Sequence, residues 1–261
     1  MASILVQFIF RLTFGTAVAM GVTPSQLVTS GFFRVHLWVL MGLNTFASLV
    51  IISDQDAVRT AFISGPVLLA LAISCVLISY AGAAVWLYEK QRAGFATLLA
   101  VALVALLAAT LATPWTMSAT PLSILLGMLD LITGGMVLGS TLAAMLLGHW
   151  YLNTPTMELV PLKRLVLLMA AAIILRGGLC AVGLLLQVGG SQPLETGFWI
   201  WLSLRWLSGL LGTIVLAKLA WETLKVPNTQ SATGILYALV ILAFIGELTA
   251  QLLSVDKLYP L

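Results

Sequence analysis

Charge is the scarcest resource in this sequence. Of its 261 residues only 8% are Asp, Glu, Lys or Arg, while 61% are hydrophobic. A soluble domain carries about 25% charged and about 45–50% apolar residues. So little charge cannot cover a water-facing surface, which excludes a soluble globular domain and assigns the chain to a lipid bilayer. Cysteine is scarce too. Cys75 and Cys180 both lie inside apolar runs and read as small hydrophobic residues rather than a disulfide or a metal pair. Histidine is limited to His36 and His149. The net charge of +3 is too small to argue for a nucleic-acid partner. A nucleotide-binding glycine loop, an H-E-x-x-H helix, paired-cysteine metal spacing and a serine nucleophile elbow are all missing, so no metal site is expected. No basic segment precedes the first apolar run and no small-residue cleavage site follows it. Residues 3–22 therefore read as a retained span rather than a signal peptide.

What the chain does have is long apolar runs. A helix crossing a bilayer needs roughly 20 mostly apolar residues. Stretches 3–22, 32–53, 65–87, 93–113, 122–149, 165–188, 198–221 and 231–254 meet that requirement. The expected fold is all-α, a polytopic transmembrane bundle of about eight spans forming a single domain over 1–261. Proline placement agrees. Pro24, Pro114, Pro121, Pro155, Pro161, Pro193, Pro227 and Pro260 fall in loops or at span edges, and Pro66 falls in a first helical turn, where its missing N–H is harmless. Trp86 with Tyr88, Trp115, Trp150 with Tyr151, Trp199 and Trp221 sit at span ends, as interfacial aromatic belts require. The connections are short and show no clear internal repeat.

Loop charge orients the bundle. Arg34, Lys90, Arg92, Lys163, Arg164, Lys218 and Lys225 cluster on one side. Only Arg59 and Lys257 stand on the other, beside Asp54, Asp56, Glu195 and Asp256. The positive-inside rule places the first set in the cytoplasm and both termini on the non-cytoplasmic side, as in a bacterial-type inner membrane. Lys163 and Arg164 serve as topology determinants near anionic lipid. In the fifth span Gly135 and Gly139 have GxxxG spacing, with Ala143, Ala144 and Gly148 beyond; in the seventh, Ser208 precedes Gly212. Small residues at this spacing let helix backbones approach closely. They mark the fifth span as a packing helix, with the second span as its expected neighbour.

Five ionisable residues lie deep inside spans: Arg11, Asp130, Arg176, Arg205 and Glu247. Unpaired, each costs about 2.5–3.5 kcal/mol on insertion scales. At about 1.5 Å rise per residue, Arg11, Asp130, Arg205 and Glu247 share one layer roughly 10–12 Å below the side that holds the termini. Asp130 or Glu247 is expected to pair with Arg205 or Arg11. Arg176 lies nearer the middle without an obvious acidic partner at its own depth, and Gly177 and Gly178 leave space beside it for an anion, a quinone carbonyl or water. The layer reads either as ion pairs that fix helix contacts or as a polar pocket or proton path.

His36 opens the second span and His149, in LGHWYLNTP, closes the fifth. Antiparallel spans put both near the same face. Two neutral imidazoles on facing helices are the usual holders of a b-type haem; a quinone site, proton uptake or plain interfacial anchoring uses the same residues. No motif assigns the chain to a family. Its span count is similar, at the level of fold alone, to membrane anchors of quinol-handling respiratory oxidoreductases. Three functional expectations follow. One is an integral subunit of a redox assembly, with quinone or haem b near the cytoplasmic face, proton-carrying charges deeper and further membrane or peripheral subunits as partners. Another is a small-solute or ion transporter using the buried charges. The last is a structural or assembly protein whose buried charges serve packing.

Overall fold

The computed structural model describes every residue except 1, 56, 57, 59–63, 115–119, 155, 190–195, 227 and 255–258. Asp56, Arg59, Trp115, Pro155, Pro193, Glu195, Pro227, Asp256 and Lys257 thus lie outside the described residues. Within them the chain is helical: α1 (Ala2–Val22), α2 (Ser30–Ser53), α3 (Gly65–Leu87), α4 (Gln91–Leu111), α5 (Pro121–Asn153), α6 (Val160–Val188), α7 (Thr196–Leu204), a π-helical segment (Arg205–Gly212), α8 (Thr213–Lys225) and α9 (Thr229–Ser254). α7, the π segment and α8 run on as one span, so 8 helices are long and apolar enough to cross a membrane. They match the eight expected spans. α5 continues past His149 to Asn153 and ends at Thr154, so the HWY cluster is helical rather than terminal. Pro66, Pro121 and Pro161 each occupy a first helical turn.

Helices satisfy their own backbone groups, which hydrocarbon demands. Several hydroxyls follow the same rule. Thr45, Ser74, Thr110, Thr133, Thr213 and Thr249 each donate to the carbonyl four residues earlier, leaving no free donor to face lipid. Large apolar side chains such as Leu77, Leu103, Ile174, Leu175, Leu185, Ile200 and Ile241 point outward and are exposed. That surface fits acyl chains and not water.

α1 is the most enclosed span, with 78% of its apolar window buried. It packs against α2, α4 and α5, and α5 in turn packs on α6 and α9. The small residues of α5 do find a partner, but it is α1 rather than α2. Cβ atoms added at Gly15 or Gly139 would run into the backbone of the facing helix, Gly135 and Gly15 respectively. α2 and α5 meet at their ends: Trp150 Nε1 donates to Thr29 Oγ1 at 3.1 Å, and the Trp150 ring lies edge-on to Phe32. Trp86 departs from the expected belt. It ends α3 but turns inward, 2% exposed, and stacks on Phe33 at 4.1 Å. Burial covers the large apolar surface of the indole although its Nε1 is left without a partner, and Gly94 on α4 leaves room for it, since a Cβ there would meet Trp86 Cε2 at 2.5 Å.

Candidate functional site: a buried chain of five charges

Arg11, Asp130, Arg176, Glu247 and Arg205 come from α1, α5, α6, α9 and the first residue of the π segment, and all are buried. They join into one alternating chain. Arg11 Nη1 donates to Asp130 Oδ2 at 2.8 Å. Arg176 Nη1 donates to the other oxygen, Asp130 Oδ1, and also to the Asp130 carbonyl at 3.3 Å. Arg176 turns its Nε and Nη2 to Glu247 Oε1 and Oε2, both at 3.0 Å, in a bidentate fork. Arg205 Nη2 closes the chain on Glu247 Oε1 at 2.8 Å.

The expectation that Asp130 or Glu247 pairs with Arg205 or Arg11 is met twice, by Arg11 with Asp130 and by Arg205 with Glu247. The expectation that Arg176 lacks an acidic partner is overturned: it bonds both acids. Depth counted along a helix misplaced it, because a long guanidinium side chain reaches a neighbouring level that its Cα does not occupy. Gly178 does border open space, but on the far side from this network's bonds.

The geometry rests on residues that sequence reading passed over. A Cβ at Gly134 would lie 2.7 Å from Glu247 Oε2 and 3.2 Å from Arg11 Nη1, so a side chain there would force these bonded groups to shift. Gly209 and Gly246 cross backbone to backbone, and Arg205 Nη1 lies in the space that a Cβ on either would fill. Cys180 Sγ accepts weakly from Arg205 Nη2 at 3.6 Å. None of these glycines carries a signal apart from its GxxxG-like surroundings, because the contact lies between helices remote in sequence.

Charge does not balance. Three guanidinium groups face two carboxylates, and arginine stays protonated. The surplus donors lie at the chain's ends: Arg11 Nε, Arg205 Nε and Arg205 Nη1 are buried without a partner. Toward the side bearing the termini, polar residues continue along the same helices. Gln7, one turn before Arg11, donates to Thr113 Oγ1 at 2.9 Å. Gln251, one turn beyond Glu247, is buried with neither amide atom bonded.

The two histidines belong elsewhere and to different partners. His36 is buried, its Nδ1 2.5 Å from the Phe32 carbonyl and its ring against Phe32 and Trp150. His149 is exposed and bonds Tyr237 of α9 through Nδ1 at 3.0 Å. Holding one haem requires two ring nitrogens aimed across one flat gap at the iron. These imidazoles bond different partners through Nδ1, the Phe32 carbonyl of α2 itself for His36 and Tyr237 of α9 for His149, and share no hydrogen bond or ring contact among the described residues. Among the described residues, no cluster of His, Cys, Asp and Glu is arranged to hold a metal. No family model, curated protein or solved structure matches the chain, and the charge chain is the feature of this molecule that carries a functional reading.

Proposed function

We propose that the protein is a small-solute transporter or channel whose substrate is a monovalent anion, taken at the Arg205 end of the charge chain. One observation carries the reading: the buried chain has three cations to two anions, and two of its three unpartnered buried guanidinium nitrogens, Nε and Nη1, sit on Arg205 beside the Gly209–Gly246 crossing. A chain serving packing alone has no use for an uncompensated charge, which is expensive in a low-dielectric interior. Proton carriage is the weaker alternative, since protonating Asp130 or Glu247 raises the surplus to about +2, whereas an entering anion removes it. Arg205 also opens the π segment. π-helical turns recur at functional sites, and locally rewound spans are how membrane transporters free polar groups for substrate. Gln251 and Gln7 extend polar character from the charge layer toward the termini. The cation-rich turns at Lys90, Arg92, Lys163, Arg164 and Lys225 favour a cytoplasmic position for that opposite side, which supports entry of the anion from the non-cytoplasmic side.

Proteoliposomes loaded with a chloride-sensitive dye test this, with formate as the second anion. Wild-type protein is expected to give chloride or formate flux above empty liposomes. Arg205→Gln is expected to remain folded and lose most of it. Flux no higher than in empty liposomes for both anions defeats the reading.

A further inference from the structure

Away from the charge chain, α6 and α8 diverge to leave an open apolar groove of about 410 Å³, lined by Val166, Leu167 and Ala170 from α6 and by Ile214, Ala217, Lys218 and Trp221 from α8. The volume falls in the range of small-molecule sites, roughly 300–1,000 Å³. Its mouth is cationic from both helices. Lys218 lies in the lining itself and is exposed, with no ion pair among the described residues. Lys163 stands one helical turn before Val166 and Leu167, on the same face of α6. The nearest carboxylate along α8, Glu222, is held by Lys225 at 2.7 Å.

Position along the span matters as much as charge. Lys218 lies about seven residues, or roughly 10 Å, inside the end of α8, so its ammonium must extend toward the headgroups. Trp221, one turn nearer that end, is at a depth that suits an interfacial indole. The groove therefore begins at headgroup level and runs into the hydrocarbon, with cations only at the shallow end.

We propose that this groove holds one acyl chain of an anionic phospholipid, with the lipid phosphate bound between Lys218 and Lys163. The apolar walls accept the chain, and two cations contributed by separate helices fit the single negative charge of the headgroup. The site does not depend on what the charge chain transports.

Native mass spectrometry of the detergent-solubilised full chain, titrated with dioleoyl phosphatidylglycerol or dioleoyl phosphatidylcholine, tests the assignment. Wild-type protein is expected to retain one phosphatidylglycerol tightly and phosphatidylcholine much more weakly. A cation near a membrane surface contributes enough attraction to anionic lipid that losing both lysines should weaken binding about thirtyfold. Lys163→Gln with Lys218→Gln removes surface charge only, so it is expected to fold. Ala170→Trp fills the groove and should weaken the adduct with both lysines intact. Lys90→Gln, on the same side of the bundle but in the α3–α4 turn, should leave it unchanged. Equal retention of the two lipids overturns the proposal. So does phosphatidylglycerol binding that survives the double lysine change, or a loss in Lys90→Gln as large as in that double variant.

Discussion

Arg176 binds Asp130 and Glu247 at once, and this one guanidinium turns two ion pairs into a single chain across five helices. The chain has an asymmetry that mutation can read. Removing any arginine leaves two cations and two anions, whereas removing an acid leaves three against one.

Asp130→Asn and Glu247→Gln should therefore be the severe changes. Each strands buried positive charge, and breaking such a pair costs about 3–5 kcal/mol. Arg205→Gln discards the surplus cation along with one bond to Glu247 and should cost less than about 1.5 kcal/mol. Unfolding of the purified variants in mixed detergent and denaturant ranks them. Arg205→Gln proving as damaging as Glu247→Gln argues against a charge surplus in the chain.

Bound anion should stabilise the wild-type protein by mass action. At a concentration of 100 times its dissociation constant the gain is about 2.7 kcal/mol. A thermal melt in chloride or formate should rise relative to the same ionic strength of a large anion such as gluconate. In Arg205→Gln the difference should vanish, because the unpartnered Nε and Nη1 are gone.

Gly139 and Gly15 are where α1 and α5 touch backbone to backbone. Gly139→Leu pushes the two helices apart over a contact that nothing flexible can relieve. A destabilisation of about 1–3 kcal/mol is expected from overpacking, with more if Arg11 and Asp130 separate along with their helices. Gly42 faces open space, and Gly42→Leu in the same assay should stay within about 0.5 kcal/mol of the wild type. Equal effects at the two positions count against the helix crossing.

His149 and Tyr237 share one exposed hydrogen bond between α5 and α9. Tyr237→Phe deletes it alone. Interhelical side-chain bonds in membrane proteins average about 0.6 kcal/mol, so the variant should lose no more than about 1 kcal/mol. An anion flux equal to the wild type is expected, since this bond is remote from Arg205. Loss of flux in Tyr237→Phe would falsify the placement of the transport site.

Orientation is open to labelling. Cys75 and Cys180 are buried, so a cysteine placed at Lys90 reports its own side. An impermeant maleimide should reach Lys90→Cys only after the membrane is opened, and Ser64→Cys, at the other end of α3, before. The reverse pattern inverts the bundle.

Much of this architecture is written locally. Eight runs of apolar residues specify eight helices because hydrocarbon offers the backbone no other partner, and the prolines at their edges mark where those helices start and stop. The identity of the buried charges was equally plain, since an arginine or a glutamate inside such a run stands out against its neighbours. That an acid of this layer would meet an arginine of the same layer also followed from depth, though not which acid meets which arginine. What depth could not supply was lateral position. Which helix lies beside which depends on where small residues meet, and Gly15 meeting Gly135 and Gly139 placed α1, not α2, against α5. The same limit separated the histidines. Equal depth allowed His36 and His149 to face each other, but His36 bonds its own helix at Phe32 and His149 bonds Tyr237 of α9. Arg176 is the sharpest case. By residue count Arg176 falls at a level with no acid, yet its guanidinium reaches two. Helix and depth are properties of a run of residues; neighbours and shared space are decided only when the runs pack.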